Sequence, residues 1–218
     1  MTKAKVAIIY HSGYGHTASQ AAAVARGSAS AGAQTLLVAL DGTEVPWDEL
    51  AGSDALIFGS PTYMGGPSAQ FKAFEDATSS KVFGAGFLWK DKIAAGFTNS
   101  AARSGDKLAT LQQLSIFAAQ HGMYWVGLGL PPGNNSSAGS EEDLNRLGFF
   151  LGAAAQSNAD EDARAAPPTA DLKTAEHLGR RVAELALQLA QGRQSAWFDN
   201  RAPLGAAGDR PNLETAQR

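Results

Sequence analysis

The 218-residue chain contains no cysteine. Disulfides, thiolate metal sites and cysteine nucleophiles are therefore excluded. Basic residues do not cluster. With 18 Lys and Arg against 21 Asp and Glu the formal charge is −3, so the electrostatic footprint of a nucleic-acid binder is missing. The acidic excess is equally small, which argues against a carrier that is steered to its partners by a strongly negative face. Only four histidines are present, none at metal-ligand spacing from another histidine or a carboxylate, so no metal is expected. The apolar run Val6-Ala7-Ile8-Ile9 near the N-terminus is too short for a signal peptide or a membrane span, which makes the cytoplasm the expected location.

What is present is a regular alternation. Short apolar runs at Lys5–Tyr10, Gln34–Leu40, Ala55–Ser60, Lys92–Thr98 and Met123–Leu130 read as five strands. Helical segments separate or follow them at Thr17–Gly32, Trp47–Gly52, Ser68–Ser79, Gly105–His121 and Thr169–Gln191. Phe71, Phe74 and Ala77 are expected on the core side of the third helix. Leu108, Leu111, Leu114 and Ile116 are expected on that of the fourth, and Leu172, Leu178, Val182, Leu185 and Leu189 on that of the last. Alternating β and α segments with near-continuous apolar strands predict an α/β fold, a parallel sheet with helices on both faces. We expect one domain over residues 1–193, a long Pro- and Gly-rich excursion at 131–168, and a mobile tail at 194–218 whose Trp197-Phe198 pair is available to dock. Phe149-Phe150-Leu151, inside the excursion, is the expected point of return to the sheet edge.

Ligands of open α/β sheets bind beyond the carboxyl ends of the strands. Three such ends carry small and polar residues. The first is Ser12-Gly13-Tyr14-Gly15-His16-Thr17, which runs directly into a helix. A helix N-terminus offers free N–H groups and a positive dipole end to a phosphate, and glycines let the backbone close around it. The second is Pro61-Thr62-Tyr63-Met64-Gly65, with apolar contacts for a planar ring. The third is Asn99-Ser100-Ala101-Ala102-Arg103-Ser104, with small side chains and backbone N–H groups for ring carbonyls. Gly13 to Ala18 also fits the G-x-G-x-x-A dinucleotide pattern, with Asp41 as its ribose acid. The Ser12 and Thr17 hydroxyls that bracket the loop favour a monophosphate instead. None of the three loops holds a carboxylate, which disfavours acid–base hydrolysis.

In these loops and in Gln120-His121-Gly122-Met123 the sequence resembles the WrbA-type NAD(P)H:quinone oxidoreductases of the flavodoxin and NADPH-dependent FMN reductase superfamily. The resemblance spans residues 3–130 and resumes in the last helix. It implies a flavodoxin-like five-stranded sheet of order 2-1-3-4-5 and an FMN cofactor, with NADPH or NADH as electron donor and a small quinone as acceptor. Ser12 to Thr17 would hold phosphate and ribityl chain, Pro61 to Gly65 the isoalloxazine ring, and Asn99 to Ser104 its pyrimidine side. Tyr14 would lie by the nicotinamide and Phe83 would form an aromatic wall for the substrate. His121 would approach the site, from a neighbouring subunit in a tetramer or dimer, as a catalytic acid. A capping role for His121, at a helix end before Gly122, is the alternative. The chain departs from the family in its third loop, which carries Ala101, Ala102 and Arg103 where glycines are usual, in the missing insertion after strand two, and in residues 131–168. Two other readings stay open: an electron carrier, and an interaction module on a degenerate flavodoxin fold.

Overall fold

A computed structural model describes residues 3–194. Its strands are β1 (Lys5–Tyr10), β2 (Gln34–Ala39), β3 (Ala55–Tyr63), β4 (Gly66–Pro67), β5 (Ile93–Ser100), β6 (Tyr124–Trp125) and β7 (Ala153–Gln156). The helices are α1 (His16–Ser30), α2 (Trp47–Ala51), α3 (Ala69–Thr78), α4 (Lys107–Gln120) and α5 (Thr169–Gln194). The main sheet runs β2-β1-β3-β5-β6, all parallel, and only the two-residue β4 folds back antiparallel on β3. This is the flavodoxin-like order, with β4 an added hairpin. No helix among the described residues is long and apolar enough to cross a membrane. The Trp197-Phe198 pair and the tail lie outside the described residues.

Strand side chains alternate between faces, and the strand interiors are buried on both. Val6, Ile8, Ile57 and Phe97 pack with Val24 of α1 and Leu178 and Val182 of α5. Ala7, Ile9, Leu56 and Phe58 pack with Phe71, Phe74, Trp89 and Phe117 on the other face. On the first face α1 and α5 touch backbone to backbone. A Cβ on Gly27 would lie 1.8 Å from the Glu176 carbonyl oxygen, and one on Gly179 would lie 2.0 Å from that of Val24.

Five expectations need correction. The fifth sheet position is not one strand over Met123–Leu130. Tyr124 and Trp125 pair with Ile93 and Ala94, the chain then leaves, and Ala153–Gln156 returns to pair with Phe97 to Ser100. The return point is Ala153, not Phe149-Phe150-Leu151. Gly152 lies so close to Gly96 that a Cβ would fall 2.2 Å from its carbonyl oxygen, and only alanine methyls follow at the buried positions, whereas Phe150 is exposed. On α4 the buried stripe is Lys107, Leu111, Leu114 and Phe117. Leu108 and Ile116 fall off that helical period and are exposed, as is Leu185 on α5. On α3 Thr78 is buried and Ala77 only partly so.

Candidate functional site

The first loop is shaped at its tip by its own residues. Gly15, at φ +87°, is the N-cap of α1 and has no side chain with which to cap the first turn. Its left-handed backbone favours glycine, and a Cβ would meet that of Ala163 at 2.8 Å. Ser12 Oγ accepts the Ala18 N–H at 3.1 Å, closing the loop over the helix start. The first turn holds no acidic residue, so the positive end of the helix faces the loop unopposed. Thr17 is buried beneath it. At Gly13 a Cβ would come within 2.6 Å of Tyr63 Oη, so glycine is what lets the second loop lie across the first.

Tyr63 ends β3. Its ring meets that of Tyr14 edge-on, with centroids 6.4 Å apart, and Tyr14 is the more exposed of the two. Burial raises the Tyr63 pKa, so the phenol stays protonated at neutral pH. The Thr62 hydroxyl points inward, 2.8 Å from both Thr98 Oγ1 and Thr110 Oγ1. Asn99 Nδ2 donates to Ser157 Oγ at 2.9 Å. Together Ser12, Gly13, Tyr14, His16, Thr17, Pro61, Thr62, Tyr63, Asn99, Ser100 and Ala101 line one cavity of about 370 Å³. The three loops thus form a single site.

Some expected residues sit at its margin. Met64 and Gly65, both at positive φ, form the turn between β3 and β4, and the Met64 side chain is fully exposed. Ala102, Arg103 and Ser104 follow the wall formed by Asn99 to Ala101. Arg103 is ion-paired to Glu141 at 2.9 Å. Asp41 lies outside the cavity and closes its own turn by accepting the Thr43 N–H at 3.1 Å, so the dinucleotide pattern loses its acid.

The sequence reading missed the fourth wall. Ser157 and Ala159 line the cavity from the segment after β7. The same segment holds α1: His16 Nε2 donates to the Glu161 carbonyl at 2.8 Å and Ser19 Oγ to that of Ala163 at 3.0 Å. The signal available was Ala153-Ala154-Ala155-Gln156-Ser157, a short apolar run ending in small polar residues like the other strand ends. Behind this wall Arg146 grips Asp171 twice, at 2.8 and 2.9 Å, and also pairs with Glu141. Asp171 in turn accepts the Gln156 N–H at 2.9 Å.

His121 and Phe83 are not at the loops of this chain. Both line a second cavity of about 540 Å³ between α3 and α4. His121 is 3% exposed, with ring centroids of Trp89 and Phe117 each 4.9 Å away. Thr78 Oγ1 donates to the Glu75 carbonyl at 2.6 Å, so at 2.8 Å it accepts from His121 Nε2. Burial lowers the His121 pKa and keeps the ring neutral. It is the C-cap of α4, and Gly122 follows at φ +65°, the capping arrangement. His177 is half-buried, with Nε2 3.1 Å from the Leu128 carbonyl oxygen.

The parallel order, the glycine loop at the start of α1 and the convergence of three loops at the strand ends define a flavodoxin-like protein. The NADPH-dependent FMN reductase family matches residues 41–130. Flavodoxin FldP of Pseudomonas aeruginosa is 46% identical over 189 residues, covering 85% of this chain and 98% of that protein. An NAD(P)H dehydrogenase (quinone) of Archaeoglobus fulgidus is 34% identical over 214 residues, covering 85% and 99%. Among solved structures, a flavodoxin, WrbA-like protein from Agrobacterium tumefaciens aligns at a TM-score of 0.67 and 41% identity, covering 85% and 99%. The chain belongs to the WrbA-type family of flavodoxin-like oxidoreductases.

Proposed function

We propose that the protein binds FMN in the loop cavity and passes two electrons from NAD(P)H to small quinones. The observation that carries this reading is the uncharged anion cradle at the start of α1, continuous with a cavity lipped by Tyr14 and Tyr63. The residues fit the cofactor. A side chain at Gly13 would strike Tyr63 and one at Gly15 would strike Ala163, so the glycines keep the loop tight, and its donors are hydroxyls and backbone N–H groups, which suit one phosphate. Ser12 to Thr17 hold the phosphate and ribityl chain. Pro61, Thr62 and Tyr63 flank the ring, with Met64 and Gly65 at the rim. Asn99 to Ala101 border its pyrimidine side, and the backbone of Ala102, Arg103 and Ser104 extends that border. The Ala-for-Gly departures leave Ala101 in the cavity wall, against a degenerate fold.

FMN, when bound, supplies the two-electron chemistry, and the chain binds and orients it. One mouth, edged by the exposed Tyr14, admits nicotinamide and then quinone, a ping-pong order. The overall conversion is NAD(P)H, a proton and quinone to NAD(P)⁺ and hydroquinone. With His121 buried away from the loops, the proton comes from solvent rather than from this chain's imidazole. A homo-oligomer, tetramer or dimer, is part of the same reading. Phe83, Leu108 and Ile116 leave apolar surface around α4 for it.

The FldP relative, named a flavodoxin, favours a second reading as an electron carrier. Anaerobic mixing of the FMN-loaded protein with NADPH or NADH, then benzoquinone, separates the two. Bleaching by the nicotinamide and recovery with the quinone are expected. If both donors fail while a protein reductase succeeds, the carrier reading replaces the enzyme.

A further inference from the structure

Lys107 opens α4 beneath the third loop and is wholly buried, yet the chemistry above does not use it. Its Nζ donates to the carbonyls of Ala102 at 2.6 Å and Arg103 at 2.9 Å. Ser100 Oγ donates to the same Ala102 carbonyl at 3.0 Å. In a trans peptide the N–H points opposite to the C=O. Turning the Ala102 carbonyl down onto Lys107 therefore turns the Arg103 N–H outward, and turning the Arg103 carbonyl down does the same for Ser104. These residues follow directly on Asn99, Ser100 and Ala101, which wall the cavity.

Resting on the FMN reading, we propose that Lys107 is a positioning residue of the flavin site. Its ammonium clamps the third loop so that the Arg103 and Ser104 N–H groups face the pyrimidine side of the ring. It also places a buried positive charge below the part of the ring that becomes electron-rich on reduction.

The charge is titratable. Desolvation lowers the Lys107 pKa to about 8. Asp171 on α5 supports the ammonium and Arg146 on the excursion opposes it. Arg103 on the clamped loop, Glu141 paired to it, and Asp106 at the helix start are the other charged groups around it. Above pH 8 the clamp loses its charge, so FMN affinity falls as pH rises. The histidines whose pKa burial lowers, His11, His121 and His177, are neutral across this window. The FMN phosphate, with its second pKa near about 6, is already a dianion.

The test is fluorescence titration of FMN into the full-length apoprotein at pH 7 and pH 9. Wild type should lose about tenfold in affinity between the two. Lys107→Met should bind roughly 10- to 100-fold more weakly at pH 7, the loss expected for charge-assisted hydrogen bonds, with a flat pH profile and a more negative potential of the bound flavin. Lys107→Arg should restore binding at pH 7 and keep the profile flat. Lys107→Met binding FMN like wild type at both pH values overturns this inference alone. A wild-type chain that takes up no FMN overturns the site reading and this inference with it. If Lys107→Met does not fold, the wild-type profile decides: a fall supports the clamp and a flat line overturns it.

Discussion

The first and third loops sit at nearby strand ends and line the same cavity, but they are held in opposite ways. The first closes through Ser12, Gly15 and the start of α1 and uses no ion pair, its distant side-chain anchors being His16 and Ser19 on the carbonyls of Glu161 and Ala163. The third is braced from outside. Lys107 holds two of its carbonyls from below, Gln156 Nε2 donates to the Ala101 carbonyl at 2.9 Å, and Glu141 takes Arg103. Arg146 and Asp171 stand behind these contacts. An anion cradle needs only a helix start and glycine. A loop of Ala-Ala-Arg that must keep its N–H groups in place depends on partners 4 to about 55 residues away in sequence.

The sharpest way to break this contrast is to remove the brace. Asp171 and Arg146 bury 98% and 96% of their side chains. Asp171→Ala leaves the guanidinium with Glu141 alone, and losing a partner of a buried ion pair costs about 3–5 kcal/mol. Thermal unfolding should show a loss of this size, and one below about 1 kcal/mol would mean the network does not support the loop. The first loop should behave otherwise. Thr17→Ala should cost about 1 kcal/mol of folding stability, the buried methyl it removes, and weaken FMN binding by about 1–3 kcal/mol, the cost of a missing partner at a charged group. Unchanged affinity in an FMN titration would take the hydroxyl off the phosphate.

Stability and affinity respond to Lys107 in opposite directions. The folded-state pKa of Lys107, about 8, lies below its ordinary value of 10.5. Between these values the unfolded chain binds more protons, so stability rises with pH. Over the same range the clamp loses its charge and FMN affinity falls. Urea unfolding of the apoprotein at pH 8 and pH 10 should therefore favour wild type over Lys107→Met as pH rises, while FMN binding moves the other way. Parallel movement of the two would mean Lys107 serves the fold and not the loop.

The same contrast explains what the sequence made legible. The strands β1, β2, β3 and β5 were legible as apolar runs, their order came with the family resemblance, and the first loop was legible in six consecutive residues. The split edge was not, because whether Gly127 to Leu130 or Ala153 to Gln156 pairs with β5 is decided by room beside Gly96, a tertiary matter. The fourth wall at Ser157 and Ala159 was missed with it. His121 was read from a motif shared with relatives, but Thr78, Trp89 and Phe117 decide where its ring goes. Arg103 was read as a departure from the family's glycines, and its partner Glu141 lies within the excursion left without structure.

Arg103 also gives the smallest expected effect on stability and the finest test of the loop comparison. Both members of its pair are exposed, at 65% and 49% of their side chains, so Arg103→Ala should cost less than about 1 kcal/mol of folding stability. Its effect should appear in kinetics. If Arg103 also meets the dinucleotide phosphates at the mouth, it must leave Glu141 to do so, and the two partners compete for one guanidinium. Arg103→Ala should then raise the KM for NAD(P)H and leave that for quinone nearly unchanged. Glu141→Gln, which weakens the competing partner, should lower the KM for NAD(P)H. Because Glu141 also pairs with Arg146, the Glu141→Gln result is to be read beside its unfolding curve. Equal changes in both KM values for Arg103→Ala would make the residue a wall of the shared mouth. A Glu141→Gln enzyme with unaltered KM for NAD(P)H would mean that the ion pair never opens, and that the third loop keeps its brace throughout turnover.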